Sequence, residues 1–234
     1  MDVIEVAPRL HWFKFAVGHA YLWQDDDGLM LIDSGQPGSA APIAEAIRDL
    51  GFQTADVRRL FLTHFHSDHV GGAAEMATWG DVTVYAHQAD APFIRGEADG
   101  PPPVLADWER ELLDQIRAGM SPQPPAPVRI DHTLHSDEVL ENGARAMSVP
   151  GHTPGSAALY LPGPRILFTG DTIARTPAGD VILGVFNVDR AQAVESFRRQ
   201  SRLDVAIACF GHGDPLTEEA TATLRAAVEV SAAS

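Results

Sequence analysis

The chain has 234 residues, 45% apolar and 21% charged, enough to bury a substantial core. Its 17 Lys and Arg against 32 Asp and Glu leave a net charge of −15, the wrong sign for a nucleic-acid partner or an anionic membrane surface. One cysteine, Cys209, excludes an intrachain disulfide and a Cys-rich zinc site; with no secretory leader or membrane-spanning apolar run legible, a cytoplasmic location is expected.

Short β-branched or aromatic runs at 3–6, 9–15, 19–24 and 28–33, separated by Pro8, Gly18 and the turn Asp25-Asp26-Asp27-Gly28, predict an antiparallel meander. A helix follows over 39–50, with Ile43, Ile47 and Leu50 on one stripe and Gly51 as its stop. Next come a strand at 58–62, a His-rich loop, a helix to about Trp79 and a strand at 82–85, with His87 opening a further helix. Residues 96–127 change character: Gly100-Pro101-Pro102-Pro103 and Pro122–Pro127 bracket a helical pattern with Leu105, Trp108, Leu112 and Ile116 on one face. This predicts a Pro-flanked helical insertion at about 97–127 in a single domain spanning 1–234, serving as a lid, a dimer arm or simple packing. Strands resume at 128–134, 137–141, 144–149, 157–161 and 165–169. A helix over 189–202 carries Ala193, Val194 and Phe197 inward, a strand spans 205–210, and a last helix spans 217–231. The halves echo one another: Leu31-Ile32-Asp33-Ser34-Gly35 against Leu167-Phe168-Thr169-Gly170-Asp171, and Leu62-Thr63-His64 against Phe210-Gly211-His212.

The densest chemistry lies in Thr63-His64-Phe65-His66-Ser67-Asp68-His69-Val70-Gly71-Gly72. On an extended backbone His64, His66 and Asp68 project to one side, whereas a helix would turn His64 and His66 roughly 200° apart. His69 breaks the alternation and presents a ligand elsewhere, so the stretch predicts two neighbouring metal positions. Three more ligand-type residues follow strands: His152 in Pro150-Gly151-His152-Thr153-Pro154-Gly155, Asp171 in Thr169-Gly170-Asp171-Thr172, and His212 after Ala206–Phe210. Each taken singly reads as a turn or cap, but three strands ending in a metal-type ligand read as a site gathered at strand ends. His11, His19, His87, His132, His135 and Cys209 lack ligand spacing and read as ordinary core or surface residues.

The set His64-X-His66-X-Asp68-His69, with His152, Asp171 and His212 behind it, resembles the metallo-β-lactamase-fold hydrolases, from about residue 10 to residue 215. The resemblance implies an α/β (α+β) fold, an αββα sandwich of two mixed β-sheets flanked by helices, with two metals, usually zinc, at one sheet edge. It implies that His64, His66 and His152 hold the first metal, that Asp68, His69 and His212 hold the second, and that Asp171 bridges both while Asp33 supports the site from behind. Water shared by two such ions would ionise near pH 7, giving a bridging hydroxide as nucleophile, with Asp68 as catalytic proton shuttle. Iron or manganese suits the same ligands.

Within the family, β-lactamases carry Cys or Ser where Asp171 stands, and nuclease members carry an extra domain or a nucleic-acid arm. Flavodiiron members need a further domain for which 234 residues leave no room. The stretch Thr172–Pro177 departs from glyoxalase II, the last helix offers only Arg225 of its basic residues, and Ala174 stands where acyl-homoserine lactonases carry tyrosine. The expectation is a dinuclear zinc hydrolase, monomer or homodimer, for a small acyl substrate, lactone or ester ahead of thioester. A mononuclear iron persulfide dioxygenase is the alternative, with β-lactamase activity behind it. Arg175 and Trp108 are expected to line the substrate pocket.

Overall fold

The computed structural model describes residues 1–233. Strands β1 (Asp2–Ala7), β2 (Leu10–Lys14), β3 (Ala20–Asp25) and β4 (Gly28–Ile32) pair in order as the predicted antiparallel meander. The pairing then turns parallel through β5 (Val57–Phe61), β6 (Thr83–His87) and β7 (His132–Leu134), completing a seven-stranded sheet. Parallel neighbours need crossovers. These are α1 (Ala40–Asp49), then α2 (Ser67–Val70) with α3 (Ala73–Met76), then α4 (Ala91–Ile94) with α5 (Asp107–Gly119).

The rest of the chain comprises β8 (Glu138–Val139), β9 (Arg145–Ser148), β10 (Ala157–Leu161), β11 (Ile166–Phe168), the hairpin β12 (Ile173–Arg175) and β13 (Val181–Leu183), α6 (Arg190–Ser201), β14 (Ile207–Cys209) and α7 (Ala220–Ala233). The second sheet runs β14-β11-β10-β9-β8, antiparallel except for the parallel pair β11·β14.

Period-two alternation builds the layers. From β3, β4 and β5, the side chains of Tyr21, Trp23, Met30, Ile32 and Phe61 face the second sheet, where they meet Leu159, Leu161, Ile166 and Phe168. Their neighbours Leu22, Leu29, Leu31 and Leu60 face the other way, onto Ile43 and Ile47 of α1. In the second sheet Ala158, Tyr160 and Leu167 turn outward onto Phe197 of α6 and Leu224 of α7. The result is the expected αββα sandwich of two mixed sheets. Among the described residues no helix is long and apolar enough to cross a membrane.

Some boundaries differ from expectation for local reasons. The helix expected to reach Trp79 is two single turns broken at Gly71-Gly72. A Cβ on Gly71 would strike the backbone of Gln36 and Pro37, and its N–H donates to Gly35 O at 2.9 Å, so the crossing loop sits where a regular helix would continue. His87 ends β6 instead of opening a helix, which begins at Ala91 with Pro92 in its first turn. The hairpin β12–β13 went unforeseen, because three-residue strands around Thr176-Pro177-Ala178-Gly179 show no alternation to read. On α5 the inward face is Glu109, Leu113 and Ile116, about one residue round from the predicted one, which shares only Ile116; Leu105 lies outside the helix, which starts at Asp107.

At the end of the sheets away from these crossovers, Arg59 is 4% exposed and grips Asp27 through both terminal nitrogens at 2.8 and 2.6 Å. Its Nε donates to Glu141 at 2.7 Å, and Glu141 also accepts the Tyr85 hydroxyl at 2.7 Å. One guanidinium thereby ties the β3–β4 turn to the loop before β9. It holds the Asp27 carboxyl below the usual range. Arg59→Ala should lower the unfolding free energy by about 2 kcal/mol at pH 7, between the values for surface and buried pairs because the acidic partners are half exposed. A carboxyl depressed in the folded state stabilises above its unfolded pKa, so the deficit should shrink as pH falls below about 4. Urea unfolding at pH 7 and pH 3.5 checks both parts.

Candidate metal centre

Four strand ends deliver the seven ligand-type side chains. After β5 the chain stays extended through His66, whose ψ is 146°, and turns helical at Ser67 as His69 N and Val70 N bond back to His66 O. His64 and His66 therefore share a face, as alternation predicts, while Asp68 and His69 lie together on the first helical turn. His152 follows β9, Asp171 follows β11 and His212 follows β14.

The seven side chains converge as two groups, His64 with His66, His152 and Asp171, and Asp68 with His69 and His212, whose ligand atoms lie within 4.8 Å of one another inside each group. Asp171 stands between them. Its Oδ2 is 3.7 Å from His64 Nε2 and 3.6 Å from His152 Nε2 on one side, and 3.4 Å from His69 Nε2 and 3.1 Å from His212 Nε2 on the other. Asp68 Oδ2 completes the second group, 3.5 Å from His69 Nε2 and 3.3 Å from His212 Nε2. Gly211 makes room: a Cβ there would collide with Asp171 Oδ1.

Hydrogen-bond acceptors behind the rings decide which nitrogen faces the centre. The Thr63 hydroxyl donates to Asp33 Oδ2 at 2.8 Å, so its oxygen is left to accept from His64 Nδ1 at 2.9 Å. His69 Nδ1 donates to the same Asp33 oxygen at 2.8 Å, and His152 Nδ1 donates to Val185 O at 3.1 Å. Each bond places a proton on Nδ1 and turns the Nε2 lone pair inward, the arrangement a metal-binding imidazole requires. Asp33, 3% exposed and at positive φ, accepts Thr63 N as well. Burial raises its pKa against the opposing pull of His69 and Thr63.

Sequence reasoning missed several supports. Asp90, at the end of the β6 loop, is fully buried and accepts Phe65 N, Thr153 Oγ1 and Gly155 N, joining the His64–His66 segment to the His152 loop. Burial pushes its carboxyl up to about 6 despite those bonds. Its only sequence signal is an Asp just before a Pro-containing helix start. Ser34 Oγ donates to His69 O at 2.7 Å and accepts Gly72 N at 3.1 Å. His19, read as an ordinary histidine, is buried against Trp12, with its ring 6.5 Å from that of His212 and its N–H bonded to Gly211 O.

Next to these groups lies a cavity of about 250 Å³. Its floor is His66, Asp68, His152, Asp171 and His212, and its roof is Pro103 with Leu113, Ile116 and Arg117 of α5 and Met120 just past its end, closed at one side by Val185 and Phe186. Neither expected pocket residue lines it. Trp108 is 62% exposed, and the Arg175 guanidinium is spent on the carbonyls of Gly179, Asp214 and Pro215.

The site fits a metal pair. His64 Nε2, His69 Nε2 and Asp171 Oδ1 are buried without a hydrogen-bond partner, and each belongs to a donor set that would satisfy it. Burial keeps the metal-free His64, His66 and His152 neutral, with His66 down to about 3. Burial opposes charge at His69 and His212 too, but there Asp171 and Asp68 prevail and push His212 up to about 10. A metal entering the second group displaces those protons.

The family described as the metallo-beta-lactamase superfamily matches residues 14–212. A Bacillus subtilis (strain 168) protein named probable metallo-hydrolase YflN is 28% identical over 235 aligned residues, covering 91% of this chain and 87% of that protein. A hydroxyacylglutathione hydrolase of Bdellovibrio bacteriovorus is 29% identical over 178 aligned residues, covering 76% of this chain but 56% of that longer protein. A solved metallo-β-lactamase from Cronobacter sakazakii, a HARLDQ-motif mutant, superposes with a TM-score of 0.75 at 20% identity, over 100% of this chain and 92% of that one, a likeness of fold.

Asp33→Asn keeps the shape but cannot serve three donors with one oxygen. Its metal affinity should fall about 10- to 100-fold. Chelator competition reads this directly, and an unchanged affinity would remove Asp33 from the support of the site.

Proposed function

This chain belongs to the metallo-β-lactamase superfamily of metal-dependent hydrolases, and from that premise we propose that it is a dinuclear zinc enzyme cleaving a small ester or lactone with an apolar acyl part. His64, His66 and His152 would hold one ion, Asp68, His69 and His212 the other, and Asp171 both. Bound there, two divalent ions supply Lewis acidity toward the substrate carbonyl and lower the pKa of a coordinated water.

The protein's own groups do the rest. Burial pushes the Asp68 carboxyl up, but His69 and His212 outweigh it, and the group stays ionised. An ionised carboxylate at that place accepts a proton during attack at the carbonyl and returns it to the leaving oxygen. Thr63, Asp33 and Val185 O hold three imidazoles in register through the cycle. The α5 roof keeps bulk water off the reacting carbonyl and shelters the acyl group.

The cavity lining carries the reading of the substrate. Leu113, Ile116, Met120, Val185 and Phe186 offer an apolar surface, and Arg117 is the one Arg or Lys side chain among the residues that line the cavity. An apolar acyl group gains from that burial. A glutathione thioester, with its two carboxylates, finds a single Arg or Lys apart from the metal-site histidines, so the thioester reading supported by the hydroxyacylglutathione hydrolase likeness stands second.

Zinc-loaded protein is expected to hydrolyse apolar esters or lactones with higher kcat/KM than glutathione thioesters across one panel. Asp68→Asn should lower kcat by about 10²- to 10⁴-fold, with metal content measured alongside. A protein holding two metals per chain yet inert across the panel would contradict the reading. Iron occupancy with oxygen uptake on glutathione persulfide would replace it with the dioxygenase.

A further inference from the structure

Among the described residues of α5, Glu109 alone is buried, 7% exposed on a helix whose other polar residues face solvent. A carboxylate is seldom buried without partners that need it. Glu109 has two: Oε2 accepts the N–H of Ala106 at 2.8 Å, capping α5, and Oε1 accepts the N–H of Phe186 at 2.8 Å, across the chain from the helix. Phe186 has φ of 60°, a conformation that a bulky L-residue rarely holds without outside support.

The segment around Phe186 is stitched to both the roof and the metal groups. Val185 O accepts His152 Nδ1, Val104 N donates to Asn187 O at 2.9 Å, and Asn187 Nδ2 donates to Gly184 O at 2.6 Å. On one side of the stitch lies the cavity over the metal groups, lined by Pro103, Val185 and Phe186. On the other lies a second chamber of about 360 Å³, lined by Val104, Trp108, Glu109, Leu183 and Arg190 and again by Val185. Adjacent residues of the strap, Pro103 and Val104, face different chambers, and Glu109 and Phe186, bonded to each other, do the same.

We propose that Glu109 is a positioning residue that sets the length of acyl group the site accepts, by holding Phe186 as the partition between the two chambers. With the bond intact, an acyl chain on the metal side ends against Phe186. With the bond lost, the left-handed backbone of Phe186 loses the one acceptor on its own N–H and is held only through its neighbours; its ring leaves the partition and the chambers join, admitting a longer chain. The inference rests on the ester or lactone reading for its substrate, but the partition is a property of binding as well as turnover.

The test compares wild type with Glu109→Ala, Phe186→Ala and Glu109→Gln, whose amide oxygen can still accept the Phe186 N–H, all zinc-loaded. One readout is kcat/KM for p-nitrophenyl esters from acetate to dodecanoate. The other, independent of turnover, is calorimetric Kd for n-alkanoates over the same lengths. Glu109→Ala and Phe186→Ala should each raise the long-to-short ratio at least about tenfold, carried by KM and Kd, while Glu109→Gln, with one acceptor oxygen for two N–H donors, should fall between Glu109→Ala and wild type. A wild-type ratio in Glu109→Ala by both readouts overturns the inference, as does a wild-type ratio in Phe186→Ala if Glu109→Ala does not fold. An alkanoate shift without ester turnover supports the partition while retiring the ester reading; turnover with unchanged ratios does the reverse.

Discussion

A carboxylate stays ionised inside a protein only when positive charge or hydrogen-bond donors offset its burial, and at the buried carboxylate of Asp171 this fold supplies the charge. Burial pushes its carboxyl upward, and His212 and His69 bring it well below the usual carboxylate range. Those imidazoles reach it from separate strand ends, after β5 in one sheet and after β14 in the other, so the centre spans both sheets. The two halves meet the demand in the same way. Asp33 N donates to Phe61 O just past the β4·β5 pair, and Thr169 N donates to Cys209 O just past β11·β14, both at 2.9 Å. Each parallel pair then ends with one strand supplying an acid and its neighbour a histidine.

Around that centre the structure shows a division of labour. Seven side chains carry lone pairs or charge, and a surrounding set of acceptors (Asp33, Thr63, Asp90 and the carbonyl of Val185) orients them. Asp33 and Asp90 tie together segments distant in sequence, so removing either would loosen two ligand loops at once. The roof is a third component. It is the helix α5 on Pro-rich stems, bonded at one end through Val104 and Glu109 and at the other through Ser121 N to Gln36 Oε1 at 2.6 Å. Selectivity for substrate would reside there, away from the reacting atoms.

The sequence made the chemistry more legible than its support. His64, His66, Asp68 and His69 stand out because local spacing alone constrains where they point. His152, Asp171 and His212 stand out because each follows an apolar strand. Asp90 and Val185 O do not, since accepting backbone and ring N–H groups leaves no local pattern. On α5 the cavity face is centred about one position from the expected one, and that rotation of about 100° takes Trp108 from the metal-side cavity to the edge of the second chamber. Arg175 lies close after Asp171 in sequence, yet the β12–β13 hairpin, which no alternation announces, turns its side chain onto loop carbonyls.

The central claim is that one carboxylate joins two metal positions. Anomalous diffraction at the zinc edge from zinc-soaked crystals tests it most directly. The account requires two peaks about 3.5–4 Å apart, one among His64, His66 and His152, the other among Asp68, His69 and His212, with Asp171 between them. A single peak, or two peaks neither of which touches Asp171, would contradict it.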